Sequence, residues 1–280
     1  MKIAVMTDST AYIPKQLREN ESIHMVPLSV VFGEVPYQEE VDLTTEEFYT
    51  MVKNADSLPK TSQPSIGYVV EKFEELAADY DAVVTVHLSS GISGTYQAVV
   101  SASKMVEGIT VYPFDSEISC LPQGFYALEA ARMARDNQTP EAIIERLKQM
   151  KMVVRAYFMV DDLSHLQRGG RLNGAQVLVG SLFQVKPILH FVNKKIVPFE
   201  KIRTRKKALN RLIELLEEDV KKGEKLKVAV IHGNCEDVAI DLKKSLEEKY
   251  DSIECHISYF GPVIGTHLGQ GAIGIGWYPL

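Results

Sequence analysis

The chain has 280 residues, of which 45% are hydrophobic and 24% charged, and it carries a net charge of −6. That length and balance suit two packed domains or one large one, and the acidic surplus argues against nucleic acid as a partner, since phosphate binding needs a basic surface. Asp8 interrupts the opening MKIAVMTDST too early for a signal peptide, and no stretch approaches the ~18 apolar residues of a membrane span, so a cytoplasmic protein with at most transient, peripheral membrane contact is expected.

From the N-terminus, residues 2–7 (KIAVMT) read as a buried strand. Residues 25–32 (MVPLSVVF) are a second β-rich run, in which Pro27 marks an edge or a bulge. A Thr-Thr-Glu-Glu cap opens a helix over 44–53, and 66–79 has the apolar spacing of an amphipathic helix. Residues 82–88 (AVVTVHL) form a continuous apolar strand, followed by a Ser/Gly turn and a helix from about Thr95. A strand over 110–114 and helices over Leu121–Arg135 and 140–150 complete the first half. Strand and helix alternating at this spacing imply a parallel sheet with covered faces.

The second half changes character. Segments 185–191 and 196–202 flank Asn193-Lys194-Lys195, a hairpin signal. Helices over 208–221 and 237–249 alternate with strands over 227–231 and Ile253–Tyr259, and a glycine-rich apolar stretch, 269–277, closes the chain. The expected architecture is α/β in two domains: a parallel-sheet α/β domain over 1–155 and an α+β domain with a hairpin-containing sheet over 156–280. Cys120, Cys235 and Cys255 are widely spaced and form no CxxC pair, so reduced, buried thiols are expected rather than a disulfide framework or zinc site. The seven histidines show no short metal-ligand spacing.

Five polar or glycine-rich stretches stand out, four of them where strands should end, the place where open α/β sheets bind ligands. Thr7-Asp8-Ser9-Thr10 offers side-chain oxygens that cap the next turn or shape a site. In Lys60-Thr61-Ser62-Gln63-Pro64-Ser65, Ser65 suits the N-cap of the next helix, leaving the hydroxyls of Thr61 and Ser62 to face an anion. Ser89-Ser90-Gly91-Ile92-Ser93-Gly94-Thr95-Tyr96 approaches the G-x-S-x-G nucleophile elbow, with Thr95 where the last glycine belongs. A triad would draw on His267 and Asp115, which nothing in the sequence ties to Ser93. In the alternative, the Ser93 hydroxyl and adjacent amides donate hydrogen bonds to a carboxylate. Gln167-Arg168-Gly169-Gly170-Arg171-Leu172 supplies Arg171 as a bidentate partner for a carboxylate or phosphate, or is a solvated turn. The fifth stretch, 261–271 (GPVIGTHLGQG), sets His267 in a glycine-rich loop.

In this order, and across nearly the whole chain, these stretches resemble the DegV family: Asp8-Ser9-Thr10, Thr61-Ser62-Gln63-Pro64-Ser65, Leu88 to Tyr96, Arg168-Gly169-Gly170-Arg171 and Gly265-Thr266-His267-Leu268-Gly269-Gln270-Gly271. The resemblance implies two α/β domains with one long-chain fatty acid in a tunnel between them. It also implies a non-catalytic subunit of a bacterial fatty-acid kinase system, feeding phospholipid synthesis, with a separate kinase making the acyl-phosphate. Thr61 and Ser93 would contact the carboxylate. Ser62, Gly94, Arg171 and His267 would lie at the head-group end. Palmitate, stearate or oleate would be the ligand, with no cofactor and no metal. The basic stretch Lys201-Ile202-Arg203-Thr204-Arg205-Lys206-Lys207 is then a kinase-docking or anionic-membrane surface, or a solvated helix start.

Elementary energetics suits a lipid. A tail of ~16 carbons offers on the order of 12 kcal/mol gross at ~0.8 kcal/mol per methylene, so the head needs only to be satisfied. The sequence lacks G-x-x-x-x-G-K-[ST], so ATP binding by that route is not expected. Leu178, Phe183, Ile188 and Phe191 are candidates for either tunnel or core. Two other readings remain: a serine esterase or acyltransferase using Ser93 and His267, and a phosphate- or sugar-binding module at helix N-termini.

Overall fold

The computed structural model describes residues 1–173 and 185–280; Leu178 and Phe183 lie outside them. The first half runs β1 (Ile3–Asp8), a 3-10 turn over Ser9–Ala11, α1 (Lys15–Asn20), β2 (Ile23–Val26), β3 (Ser29–Phe32), β4 (Val35–Gln38), α2 (Thr45–Asn54), β5 (Lys60–Ser62) and α3 (Ile66–Ala77). It continues through β6 (Ala82–His87), α4 (Thr95–Ala102), β7 (Thr110–Asp115), α5 (Leu121–Arg135) and α6 (Pro140–Val153). Four strands, in the order β2-β1-β6-β7, pair in parallel. β6 is buried at every position, as its unbroken apolar run requires. On one face Val69 and Phe73 of α3 and Val99 of α4 pack with Met6 and Val83. On the other, α5 lies along β1 and β6 and also reaches β11 and β13 of the second sheet, given below.

The second half runs β8 (Arg155–Met159), α7 (Ser164–Arg168), β9 (Lys186–Val192), β10 (Lys195–Ile202), α8 (Arg205–Val220), β11 (Leu226–His232), α9 (Glu236–Lys249), β12 (Ile253–Tyr259), α10 (Pro262–Leu268) and β13 (Ile273–Pro279). Its sheet is mixed and six-stranded, β10-β9-β8-β13-β11-β12. The hairpin forms at the predicted place: Asn193 (φ 48°) and Lys194 (φ 71°) make a two-residue loop with the paired positive φ of a type I′ turn. The two faces of β13 differ. Ile273, Ile275 and Trp277 join the core beneath α8 and α9. Gly276 faces the first half, where a Cβ would collide with Pro122 of α5; a Cβ on Gly274 would lie 3.1 Å from Phe260 of the second half.

Three local expectations change. Residues 25–32 are not one strand, because Pro27 has no N–H to give a ladder. β2 ends at Val26 in the parallel sheet and β3 begins at Ser29 in a separate antiparallel sheet, β4-β3-β5. The Thr61 stretch is partly a strand, with Thr61 opposite Val30. The 261–271 loop contains the helix α10, which ends at Gly269 (φ 75°). The capping signals hold: Thr44 and Glu47 form a reciprocal capping box on α2, and Ser65 Oγ accepts from Tyr68 N–H on α3.

The hairpin tip of the second half docks on the loop after β6. Ser89 Oγ donates to the Lys194 carbonyl (2.6 Å), and Lys194 Nζ lies 2.9 Å from an Asp115 carboxylate oxygen. A Cβ on Gly91 would strike the Lys194 backbone, whereas one on Gly67, inside α3, meets nothing within 4 Å. Gly91→Ala is therefore expected to destabilise the protein by about 1–3 kcal/mol through overpacking. Gly67→Ala should stabilise it by about 0.5–1 kcal/mol through helix propensity. Urea denaturation of the two variants checks both signs.

Candidate functional site

Between the parallel sheet and the six-stranded sheet lies a cavity of about 250 Å³, near the lower end of the ~300–1,000 Å³ common for ligand pockets. Its walls are mainly apolar and come from both halves. Leu28, Leu88, Ile92, Cys120 and Pro122 line one side, and Phe158, Phe191, Ile196, Ile231, Phe260, Ile264, Leu268 and Gly274 line the other. Of the apolar candidates singled out in the sequence, Phe191 is a wall residue, whereas Ile188 points into the core with Met159 and Leu212.

All six residues expected at a head group, Thr61, Ser62, Ser93, Gly94, Arg171 and His267, line this cavity. They arrive from four elements that are distant in sequence: β5, the turn before α4, the segment after α7, and α10. Thr61, Ser93, Arg171 and His267 are half-buried, and Ser62 and Gly94 are exposed at the rim. Thr61 Oγ1 lies 2.9 Å from His267 Nε2, while His267 Nδ1 is buried without a hydrogen-bond partner among the described residues. Burial, with help from the positive charge of Arg171 and the nearby His165, pushes the His267 pKa down to about 4, so its ring is neutral at pH 7. Arg171 spends Nε on the Ile92 carbonyl (3.2 Å) and Nη1 on the Gly169 carbonyl. Among the described residues no carboxylate stands within salt-bridge distance of it. Thr61, Arg171 and His267 also border an outer hollow whose walls include Lys60, His165 and Arg168.

The triad does not assemble. Ser93 Oγ pairs with Thr95 Oγ1 (2.9 Å) and accepts from Thr95 N–H (3.3 Å). The histidine that would be its base is bonded to Thr61, and Asp115 is occupied by Ser90 and Lys194. Among the described residues no histidine nitrogen is hydrogen-bonded to Ser93, as a nucleophile with its base would be. Asp8 does not reach the cavity wall. It is fully buried and joins the ends of β1 and β6, accepting from Thr10 N–H, His87 Nδ1 (3.0 Å) and Leu88 N–H (2.9 Å). Burial alone would raise its pKa, but these bonds and the charge of His87 bring it below the usual carboxylate range.

Sequence reading missed three features of the site. Gln63 packs closely on Gly94, and a Cβ there would displace its amide. Gly169 lies close beneath His267, where a Cβ would strike the imidazole ring. Glu39, which follows β4, is completely buried and accepts from Ser9 Oγ, Tyr12 OH and Val263 N–H, each at 2.7 Å. Burial outweighs these three bonds and raises its pKa to about 7.

Comparison with known proteins bears directly on this site. The family model for uncharacterised proteins of the DegV family matches residues 2–280. Protein DegV of Bacillus subtilis (strain 168) is 60% identical over 278 residues, covering 99% of each chain. The crystal structure described as DegV, a fatty acid binding protein from Bacillus subtilis, superposes with a TM-score of 0.95 at 59% identity, covering 100% of both chains. A DegV family protein from Thermus thermophilus, described by its fatty acid binding, superposes at 0.93 with 28% identity and 100% coverage of both.

The depressed pKa of His267 fixes a pH dependence. A histidine held below its ordinary value contributes stability that is fully present above pH 6.5 and lost as pH falls toward 4. This group alone is expected to cost roughly 3 kcal/mol between pH 7 and pH 4. His267→Gln should flatten that acid limb, read as the pH dependence of urea unfolding.

Proposed function

This chain belongs to the DegV family, and from that premise we propose that it binds one long-chain fatty acid between its two lobes and presents the carboxylate to a partner fatty-acid kinase. The observation that carries the reading is a largely apolar cavity on whose wall Thr61, Ser93, Arg171 and His267 come together. Lobes of 1–155 and 156–280 enclose the tail, so affinity comes from buried methylenes. The head is met by Thr61 and Ser93 hydroxyls with Arg171 as the compensating charge. Ser62 and Gly94 form the rim.

Hydrogen-bond accounting gives His267 its part. With Nδ1 unpartnered among the described residues, protonation at Nε2 leaves a bare acceptor there rather than a bare N–H. Nε2–H then donates to Thr61 Oγ1, and the Thr61 proton is free to point at a ligand oxygen. Ser93 Oγ accepts from the Thr95 amide, and with Thr95 Oγ1 donating to it as well the Ser93 proton is free to point into the cavity.

The partner kinase acts from outside. The polar end opens onto the hollow bordered by Lys60, His165 and Arg168, a basic surface suited to an incoming phosphoryl donor. Lys201, Arg203, Lys206 and Lys207 stay exposed and form the docking face, while Arg205 is committed to Asp161 (2.8 Å) and the Gly271 carbonyl (2.6 Å). The protein does no chemistry itself, needs no cofactor beyond its lipid, and works in the cytoplasm.

Native mass spectrometry of protein purified from bacteria is expected to show one bound C16–C18 fatty acid, released by solvent extraction. A delipidated protein that takes up neither palmitate nor oleate would sink the assignment. Thr61→Ala and Ser93→Ala should each weaken palmitate binding by about 10–100-fold, the loss of one hydrogen bond to a charged group. With ATP and a bacterial fatty-acid kinase, both variants should also slow acyl-phosphate formation.

A further inference from the structure

Glu39 is an expensive residue to keep. Its carboxylate is 0% exposed, and among the described residues no lysine, arginine or histidine pairs with it. A carboxylate in such a place is normally neutralised by a cation or replaced by an apolar side chain. Here it meets only two hydroxyls and one backbone N–H, and that N–H belongs to Val263 in the first turn of α10. Around it, Tyr12 OH also accepts from Ile264 N–H (3.2 Å), Ser258 Oγ donates to the Tyr12 carbonyl (3.0 Å), and Tyr49 OH donates to the Phe260 carbonyl (2.9 Å). Gly261 permits this threading, because a Cβ there would strike the Tyr12 ring. The entry to α10 is thus held from the first half of the chain, by a network centred on one buried carboxyl group.

The far end of the same helix carries the head-group histidine. Val263 and His267 are four residues apart, so their side chains lie one above the other on one face. Ile264 and Leu268 repeat that spacing, and all four line the cavity. A helix of seven residues is a rigid lever of about 10 Å. Whatever fixes its first turn fixes the 2.9 Å contact between His267 Nε2 and Thr61.

We propose that Glu39 is a positioning residue for the carboxylate end of the cavity: by holding the Val263 amide it sets α10 so that His267 can orient the Thr61 hydroxyl. The proposal rests on the fatty-acid reading for its ligand, but its mechanical part does not.

The test compares palmitate with 1-hexadecanol, which shares the tail and lacks the carboxylate, on the full-length delipidated protein. In Glu39→Ala, palmitate affinity is expected to fall by about tenfold or more, the scale of one lost charged hydrogen bond. Hexadecanol affinity should hold within about twofold, since the tail's burial is unchanged. Glu39→Gln keeps an acceptor oxygen for the Val263 amide and should retain most of the preference for the acid. If both ligands weaken alike, or only the melting temperature drops, Glu39 is merely structural and the proposal fails. Should Glu39→Ala not fold, Tyr12→Phe breaks the same tie at Ile264 and must lower the acid-to-alcohol ratio. The ring signals of His267, read by NMR in protein without lipid, must also shift in Glu39→Ala or, where that does not fold, in Tyr12→Phe; unmoved signals overturn the proposal. A wild-type protein that binds neither ligand refutes the fatty-acid reading instead, and the NMR comparison still decides the role of Glu39.

Discussion

Protein interiors pack about as densely as organic crystals, and the seam between the two sheets of this protein is held back from that density. Between its two apolar layers it keeps a cavity of about 250 Å³. Such a volume persists only where the surrounding elements are braced independently of one another. Here α5 packs on both sheets, the β9–β10 hairpin is bonded to the loop after β6, and α10 is tied back to the 3-10 turn after β1. Gly274 lines the cavity and adds no side chain to the space these braces enclose.

The same bracing explains why the walls come from both halves. The two lobes share one continuous apolar cluster, in which Leu28, Phe48 and Phe125 meet Phe158, Ile231 and Phe260. A ligand in the cavity would touch both lobes, so its binding energy also joins them, and occupancy raises stability by mass action.

Much of the fold was legible because its signals are local. The burial of β6, the capping box at Thr44, the Ser65 cap and the Asn193-Lys194 turn each follow from a few adjacent residues. What escaped was long-range. No periodicity shows that Thr61 pairs with Val30, that the glycine-rich 261–271 stretch winds into a helix under Tyr12 and Tyr49, or that Glu39 closes on Val263. Pro27 was read as an irregularity within one strand, whereas it separates two sheets, a choice that depends on where Leu28 goes after the break. The six residues expected at a head group were singled out through a pattern spanning the chain, and all six line the cavity. Their individual environments, including the neutral His267, required the fold.

On the proposed function, the mixture of donors at the head also makes chemical sense. A carboxylate clamped in a bidentate salt bridge would give both oxygens, and much of its charge, to one guanidinium. Arg171 instead has two of its N–H groups turned to the carbonyls of Ile92 and Gly169, and His267 brings no second positive charge because burial keeps it neutral. Hydroxyls from Thr61 and Ser93 meet the oxygens with hydrogen bonds that bring no positive charge of their own. The acid is then oriented but not spent, and an oxygen facing the outer hollow keeps the electron density it needs to attack a phosphoryl group. A site built to bind the head tightly would present it less well; this one leaves tight binding to the tail.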